Sequence, residues 1–290
     1  MVKRKPPTNL AASVRQRLGN VAHERGQELQ LVLTRYGVER LLYRLGHVPE
    51  GRRFVLKGAV LFYLWEGDIP RPTQDVDFLG SGDASPGAVA QIFRDVCGAV
   101  VEPDGLAFLT ESVNAVPIRG RNEYGGVRVR LVALLGNARI PLQIDVGFGD
   151  AVTPRARLAT FPTLLDFPAP RVRAYPAETV VAEKFHAVVT LGMANTRMKD
   201  FYDLFVIATT QRLDQEMVVA AIGATFARRG TAIPSEAPIA LTETFGRDRE
   251  KQAQWRAFLN RAKLRNVPTD LSAVIERIAA FVLPSARGSR

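Results

Sequence analysis

Asp75 and Asp77 stand one residue apart in "RPTQDVDFLG", directly before an apolar pair. Side chains at i and i+2 of a strand project to one face of its sheet. Two carboxylates held that close are costly to ionise together unless a cation lies between them. Mg2+ meets the need, because it takes hard oxygen ligands and leaves part of its shell for a substrate triphosphate. Asp145 in "QIDVGFG" is a third acid inside an apolar strand, where an unpaired charge is expensive to bury. If it faces the same metals, two cations bridged by such carboxylates can activate an attacking hydroxyl and neutralise a leaving pyrophosphate. That chemistry is nucleotidyl transfer. The competing reading of "DVD" is a strand-end turn with solvated acids.

Two further features bear on phosphate. Lys57 and Gly58 precede the acids, and a glycine between strand and helix can present backbone N–H groups to phosphate at a helix N-terminus. In "AETVVAEKFHAV", Lys184 breaks an apolar stripe, with Val180 and Val188 one helical turn to either side. It either contacts nucleotide phosphates and offsets transition-state charge, or snorkels from the edge of a core. Glu183 beside it reads as a local ion-pair partner and His186 as a packing residue. Arg71 can touch a phosphate or pair with Asp68. Asp203 in "RMKDFYDL" reads as an acid favoured by a helix N-terminus.

The elements that must position these groups follow from periodicity. After the leader "MVKRKPP", apolar residues at helical spacing predict two helices ending near His47, with Thr8 or Asn9 as the first cap. "RRFVLKGAVLFYLWEGD" predicts a strand, a turn at Gly58 and a helix; "QDVDFLG" predicts a second strand. A helix over 86–98 precedes three strand-like runs, "GLAFLTESVNAV", "GVRVRLVALLG" and "RIPLQIDVGFG". Pro162, Pro168, Pro170 and Pro176 mark a connection without helix, and five amphipathic segments from Ala177 to Leu283 predict a helical bundle. The expected domains are therefore an N-terminal helical segment (1–48), a mixed α/β core (49–175) and a C-terminal helical domain (176–290).

Bulk properties exclude some classes. Lys and Arg outnumber Asp and Glu by 39 to 29, giving +10 and a pI near 10.2, which is compatible with a polyanionic partner or with a solvated basic surface. "VRQRLGNVAHER", "RGRNEYGGVRVR" and "RRGTAIP" are the candidate RNA-facing stretches. Cys97 is the one cysteine and His23, His47 and His186 the only histidines, so neither an internal disulfide nor a zinc cluster is expected. With no long apolar run, the expectation is a cytoplasmic protein that does not enter a membrane.

Five motifs in order, "LKGAVLFYLW", "RPTQDVDF", "QIDVGF", "AETVVAEKFHAV" and "RMKDFYDL", resemble the polymerase-β-type nucleotidyltransferase superfamily and more closely its AbiEii-like toxin family, also called MenT-like. They span roughly half the chain. The resemblance implies an α+β fold: a polymerase-β-type core, in which helices pack on a mixed sheet, followed by a C-terminal helical bundle. On it Asp75, Asp77 and Asp145 are the metal-binding acids, and Lys57, Gly58, Ala59, Arg71 and Lys184 the nucleotide-binding group. Asp200 matches the acid of the last motif and would orient Lys184 or the acceptor hydroxyl. Ala59 departs from the family's Gly-Gly or Gly-Ser pair and leaves only backbone donors at that point. The resemblance further implies Mg2+, an NTP (a pyrimidine NTP), the tRNA 3′ end as acceptor, and a cognate antitoxin. A small-molecule or protein acceptor, or a non-catalytic RNA-binding module, are the alternatives.

Overall fold

The computed structural model describes residues 9–67, 73, 75–118, 125–265 and 267–289. Contacts divide the chain into two compact units, Met1–Gly149 with Leu158–Ala174, and Asp150–Arg157 with Tyr175–Arg290.

The first unit opens with helices α1 (Leu10–Glu24) and α2 (Leu29–Leu45). Asn9 caps α1 by accepting a hydrogen bond from the Ala12 N–H, which satisfies one of the orphan donors of the first turn. The strands are β1 (Phe54–Lys57), β2 (Asp75–Gly80), β3 (Leu106–Phe108), β4 (Asn114–Ile118), β5 (Gly126–Leu135), β6 (Ala138–Phe148), β7 (Arg157–Thr160) and β8 (Arg171–Ala174). They form one sheet in the order β3-β5-β6-β2-β1-β8-β7, with β4 also paired to β5. β2 runs parallel to β6 and β1 to β8, whereas β1–β2, β3–β5, β4–β5 and β5–β6 are antiparallel. The sheet is therefore mixed, as expected of the α+β core.

Along β2, β5 and β6 burial alternates residue by residue. Val76, Phe78, Val129, Leu131, Ile140, Leu142, Ile144 and Val146 are buried, and α2 and α4 (Pro86–Gly98) pack on this sheet. Burial of each such side chain stabilises by ~1.5–3 kcal/mol. Gly37 lets α2 close on β6, since a Cβ there would sit 3.1 Å from the Ile140 side chain. The other face of β2, β5 and β6 is less buried and carries the polar side chains of Asp75, Asp77, Arg128, Arg130, Gln143 and Asp145.

Two local predictions meet structure that departs from them. "GLAFLTESVNAV" divides into β3 and β4 around a 3-10 turn at Thr110–Ser112. The Ser112 hydroxyl causes the break, donating to the Leu109 carbonyl and accepting from the Val132 N–H, so it replaces a ladder bond. The helix after Gly58 starts as a 3-10 turn, Gly58–Leu61, and continues as a short α3 (Phe62–Glu66) ended by Gly67 at φ +73°.

Beneath α2 lies a polar network. Arg40 and Arg44 both bond Asp104, at 2.9 Å and 2.6 Å, with Arg40 and Asp104 almost wholly buried. Glu39 is fully buried and accepts from the Leu164 N–H at 2.8 Å. The network thus ties α2 to the segment before β3 and to the chain between β7 and β8.

The second unit is helical: α5 (Ala177–Leu191), α6 (Met198–Thr210), α7 (Gln215–Arg228), α8 (Glu243–Gly246), α9 (Arg249–Ala262) and α10 (Leu271–Gly288). α10 packs on α6 and α7, and α5 on α7. Periodicity alone ends the last helix before Pro284, yet α10 runs through it. The proline forfeits one helical hydrogen bond. Packing holds the final turn: the Ser285 hydroxyl donates to Gln215 at 2.6 Å and the Ser289 hydroxyl to the Val219 carbonyl at 2.7 Å. Among the described residues no helix is long and apolar enough to cross a membrane.

Candidate active site

In the first unit, strand register places the acids in two rows on the polar face. One row reads Lys57–Asp77–Asp145–Arg128 across β1, β2, β6 and β5. The next reads Asp75–Gln143–Arg130 across β2, β6 and β5. Directly paired residues share a face, and neighbouring strands lie ~4.8 Å apart, so Asp77 and Asp145 are side by side. The parallel β2–β6 pairing is what brings together two motifs almost seventy residues apart in sequence.

Arg128 engages Asp145 side-on, Nε to Oδ1 at 2.8 Å and Nη2 to Oδ2 at 2.6 Å. Such bidentate, charge-assisted pairs fix geometry as well as charge. The bond from Asp145 raises the Arg128 pKa, burial opposes the rise, and the fields of Asp145, Asp75 and Asp77 add to it. Arg128 therefore feels all three acids. In the second row Gln143 donates to Asp75 Oδ1 at 2.8 Å and accepts from Arg130 Nε at 3.2 Å, which fixes the orientation of its amide. Among the described residues, no three carboxylate, imidazole or thiolate groups are placed to hold a metal ion by themselves.

Gly58 is required on two counts. Its φ is +74°, a region costly for a side chain, and a Cβ built there would overlap the Asp77 carboxylate. The glycine is what lets the backbone after β1 approach the acid. Ala59 is buried. Arg71 lies outside the described residues.

In the second unit, Lys184 on α5 reaches two carboxylates of α6. Its Nζ lies 2.8 Å from Asp200 Oδ1 and 2.8 Å from Asp203 Oδ2. Both aspartates are fully buried and Lys184 nearly so. Burial would raise the Asp200 pKa, but Lys184, Arg197 and Lys199 outweigh it and hold the carboxyl below its ordinary range. Arg197 contributes as an ion-pair contact at 2.6 Å rather than an aligned hydrogen bond. Asp203 is thus as much a partner of Lys184 as Asp200 is. The signal was present in "KDFYDL", since acids at i and i+3 share a helix face.

His186, one turn along from Lys184's neighbours, sits against Phe226 with ring centroids 5.0 Å apart. Its Nδ1 accepts from Arg229 at 3.2 Å and its Nε2 donates to the Thr231 hydroxyl at 2.9 Å. Burial first, and Arg229 second, push its pKa down to about 4, so the ring is neutral at pH 7. Arg229 also bonds Asp150 at 3.0 Å and lies 3.8 Å from Glu183. Nothing in the sequence pattern linked Arg229 or Asp150 to α5, because the contacts span 43 residues or more.

The family model "Nucleotidyl transferase AbiEii toxin, Type IV TA system" matches residues 40–277. Comparison with curated proteins finds no match. Among solved structures, a candidate nucleotidyltransferase of H. pylori is 14% identical, with 86% of this chain and 92% of that chain covered and a TM-score of 0.47. The Helicobacter pylori protein JHP933 is 15% identical, with coverage of 86% and 89% and the same TM-score of 0.47. Neither likeness bears weight at that level; the family match, which takes in Asp75, Asp77, Asp145, Lys184, Asp200 and Asp203, does, and the chain belongs to the AbiEii family of nucleotidyltransferase toxins.

Proposed function

We propose that this nucleotidyltransferase uses Mg2+ to transfer a nucleotide, from a pyrimidine NTP, to the 3′ end of tRNA in the cytoplasm, blocking translation and growth until a cognate antitoxin neutralises it. The observation that carries the reading is the placement of Asp75 and Asp77 on one sheet face, with the backbone of Gly58 closed against Asp77. Two carboxylates together with substrate phosphates are a common way for a protein to hold Mg2+, so these residues suit the ion. Bound there, Mg2+ would neutralise the triphosphate and favour loss of the acceptor hydroxyl proton.

The chain's own groups have the remaining roles. Asp75 and Asp77 would hold the ion, and Asp145 is paired in register with Asp77. Lys57 and the N–H groups of Gly58 and Ala59 serve the phosphates, as does Arg71. Lys184, held by Asp200 and Asp203, supplies a fixed positive charge for the developing transition-state charge. Basic balance supports a polyanionic acceptor over a cationic small molecule.

The test is transfer of label from each of four α-labelled NTPs to purified total tRNA in Mg2+, comparing the wild type with Asp77→Ala. Label that depends on Asp77, is strongest with a pyrimidine, and is confined to the 3′ end is the expected result. No label with either protein overturns the tRNA acceptor and moves the search to a protein or small-molecule acceptor.

A further inference from the structure

β5 mirrors β2. Where β2 carries Asp75 and Asp77 at i and i+2, β5 carries Arg130 and Arg128 at the same spacing, and register sets each arginine in the row of one aspartate. Both arginines fall within a stretch that sequence alone assigns to a possible RNA surface; in the structure they point along the acid rows. Arg130 acts at one remove, through Gln143 to Asp75. Arg128 acts directly, with two N–H donors on the two Asp145 oxygens. That side-on edge of a carboxylate is also the edge that a chelated cation would take.

We infer that Arg128 is a built-in cation that stands where a second divalent ion would otherwise bind, so that the acid face holds one ion. The inference rests on the metal reading of Asp75 and Asp77 given above. Its physical basis is competition for a single ligand. Asp145 is 20% exposed and Arg128 33%, so the pair is partly screened from water, and a cation approaching Asp145 must displace or face a fixed guanidinium. The guanidinium cannot give up its charge at any accessible pH. Arg128 is thereby a positioning residue that sets how many ions the acids accept.

The experiment uses the full chain with Mn2+ and non-hydrolysable α,β-methylene analogues of the four NTPs, read by electron paramagnetic resonance. Two Mn2+ ions in one site lie ~3.5–4 Å apart and give a spin-coupled spectrum that one ion cannot. The wild type is expected to hold one Asp77-dependent ion without coupling. Arg128→Met is expected to take a second, coupled ion, bound at least about tenfold more tightly than any second ion in the wild type. Arg128→Met/Asp145→Asn, which removes the pair as a neutral unit, is expected to return to one uncoupled ion. A coupled pair in the wild type, or none in Arg128→Met, overturns the inference while leaving the metal reading intact. A wild type with no Asp77-dependent Mn2+ overturns both. Should Arg128→Met fail to fold by circular dichroism, Arg128→Gln takes its place, and the wild-type spectrum decides the first arm alone.

Discussion

At the scale of single residues, Gly58, Lys184 and His186 each make a claim that substitution can check. Gly58→Ala adds a methyl where the Asp77 carboxylate already lies, at a backbone angle that disfavours any side chain. A loss of about 1–3 kcal/mol is expected for the strained backbone, together with displacement of Asp77 and loss of transfer activity. Denaturant midpoints and the label-transfer assay measure the two effects separately. Lys184→Met leaves Asp200 and Asp203 buried without their shared cation, which should cost about 3–5 kcal/mol. Activity should fall by ~10²–10³ even at temperatures where the variant is fully folded. If activity survives in folded Lys184→Met, the lysine is a structural clamp only. For His186 the folded pKa of about 4 lies below the unfolded value, so the unfolded state binds the proton first as pH falls. Stability is therefore unaffected by this group above about pH 6.5 and declines from there to pH 4, by up to ~3 kcal/mol. His186→Gln, which keeps a donor and an acceptor, should flatten that window in thermal melts.

At the scale of elements, the α2 network shows what a pattern of apolar residues conceals. Glu39 lies fully buried, and burial outweighs the Leu164 N–H and the neighbouring arginines to raise its pKa to about 7. A carboxyl raised in the fold contributes stability that is complete below its unfolded pKa and lost as pH climbs through the folded value. The window here runs from about 4.5 to about 7, so Glu39→Gln should be the flatter of the two proteins in urea titrations across it. A wild type equally stable at pH 5 and pH 8 would contradict this. Asp104→Asn, by contrast, removes the shared partner of Arg40 and Arg44, which outweigh burial to hold the Asp104 carboxyl below its ordinary range, and should cost about 3–5 kcal/mol throughout the Glu39 window, the cost shrinking only in acid as Asp104 itself is protonated. None of these groups was visible as a network in the sequence, since their separations run to 60 residues and more. What was visible was local. The "DVD" alternation, the helix over 86–98 and the lysine in an apolar stripe are each set by two- or four-residue spacing, and the structure has each in that form. Asp145 was legible as a strand acid, but its arginine partner was not, because antiparallel register depends on a hairpin closed at Gly136. Pro284 misled for the opposite reason: a local rule was overridden by packing against α6 and α7.

At the scale of the whole molecule, the excess of ten positive charges is a statement about partners rather than about fold. A protein that neutralises several phosphates of a nucleic acid releases their counterions, so its affinity falls as a power of salt concentration. An NTP offers one compact triphosphate, much of it matched by metal and by a few fixed groups, and its binding should respond to salt far less. The two dependences can be separated on the same preparation. If tRNA is the acceptor, its affinity should drop by about 10³ between 50 and 200 mM salt for six or so phosphate contacts, while the NTP affinity changes by well under tenfold. Arg128 and Arg130 make a further distinction possible, because both are committed to the acid rows. Replacing either should leave the salt slope for tRNA nearly unchanged, whereas replacing arginines of a true RNA surface should each lower it by about one. A slope that falls with Arg130→Gln would mean that the acid face itself carries the acceptor strand. A slope near zero for the wild type would mean that the charge is a solvated surface, and that the nucleotide goes to an acceptor that is not a nucleic acid.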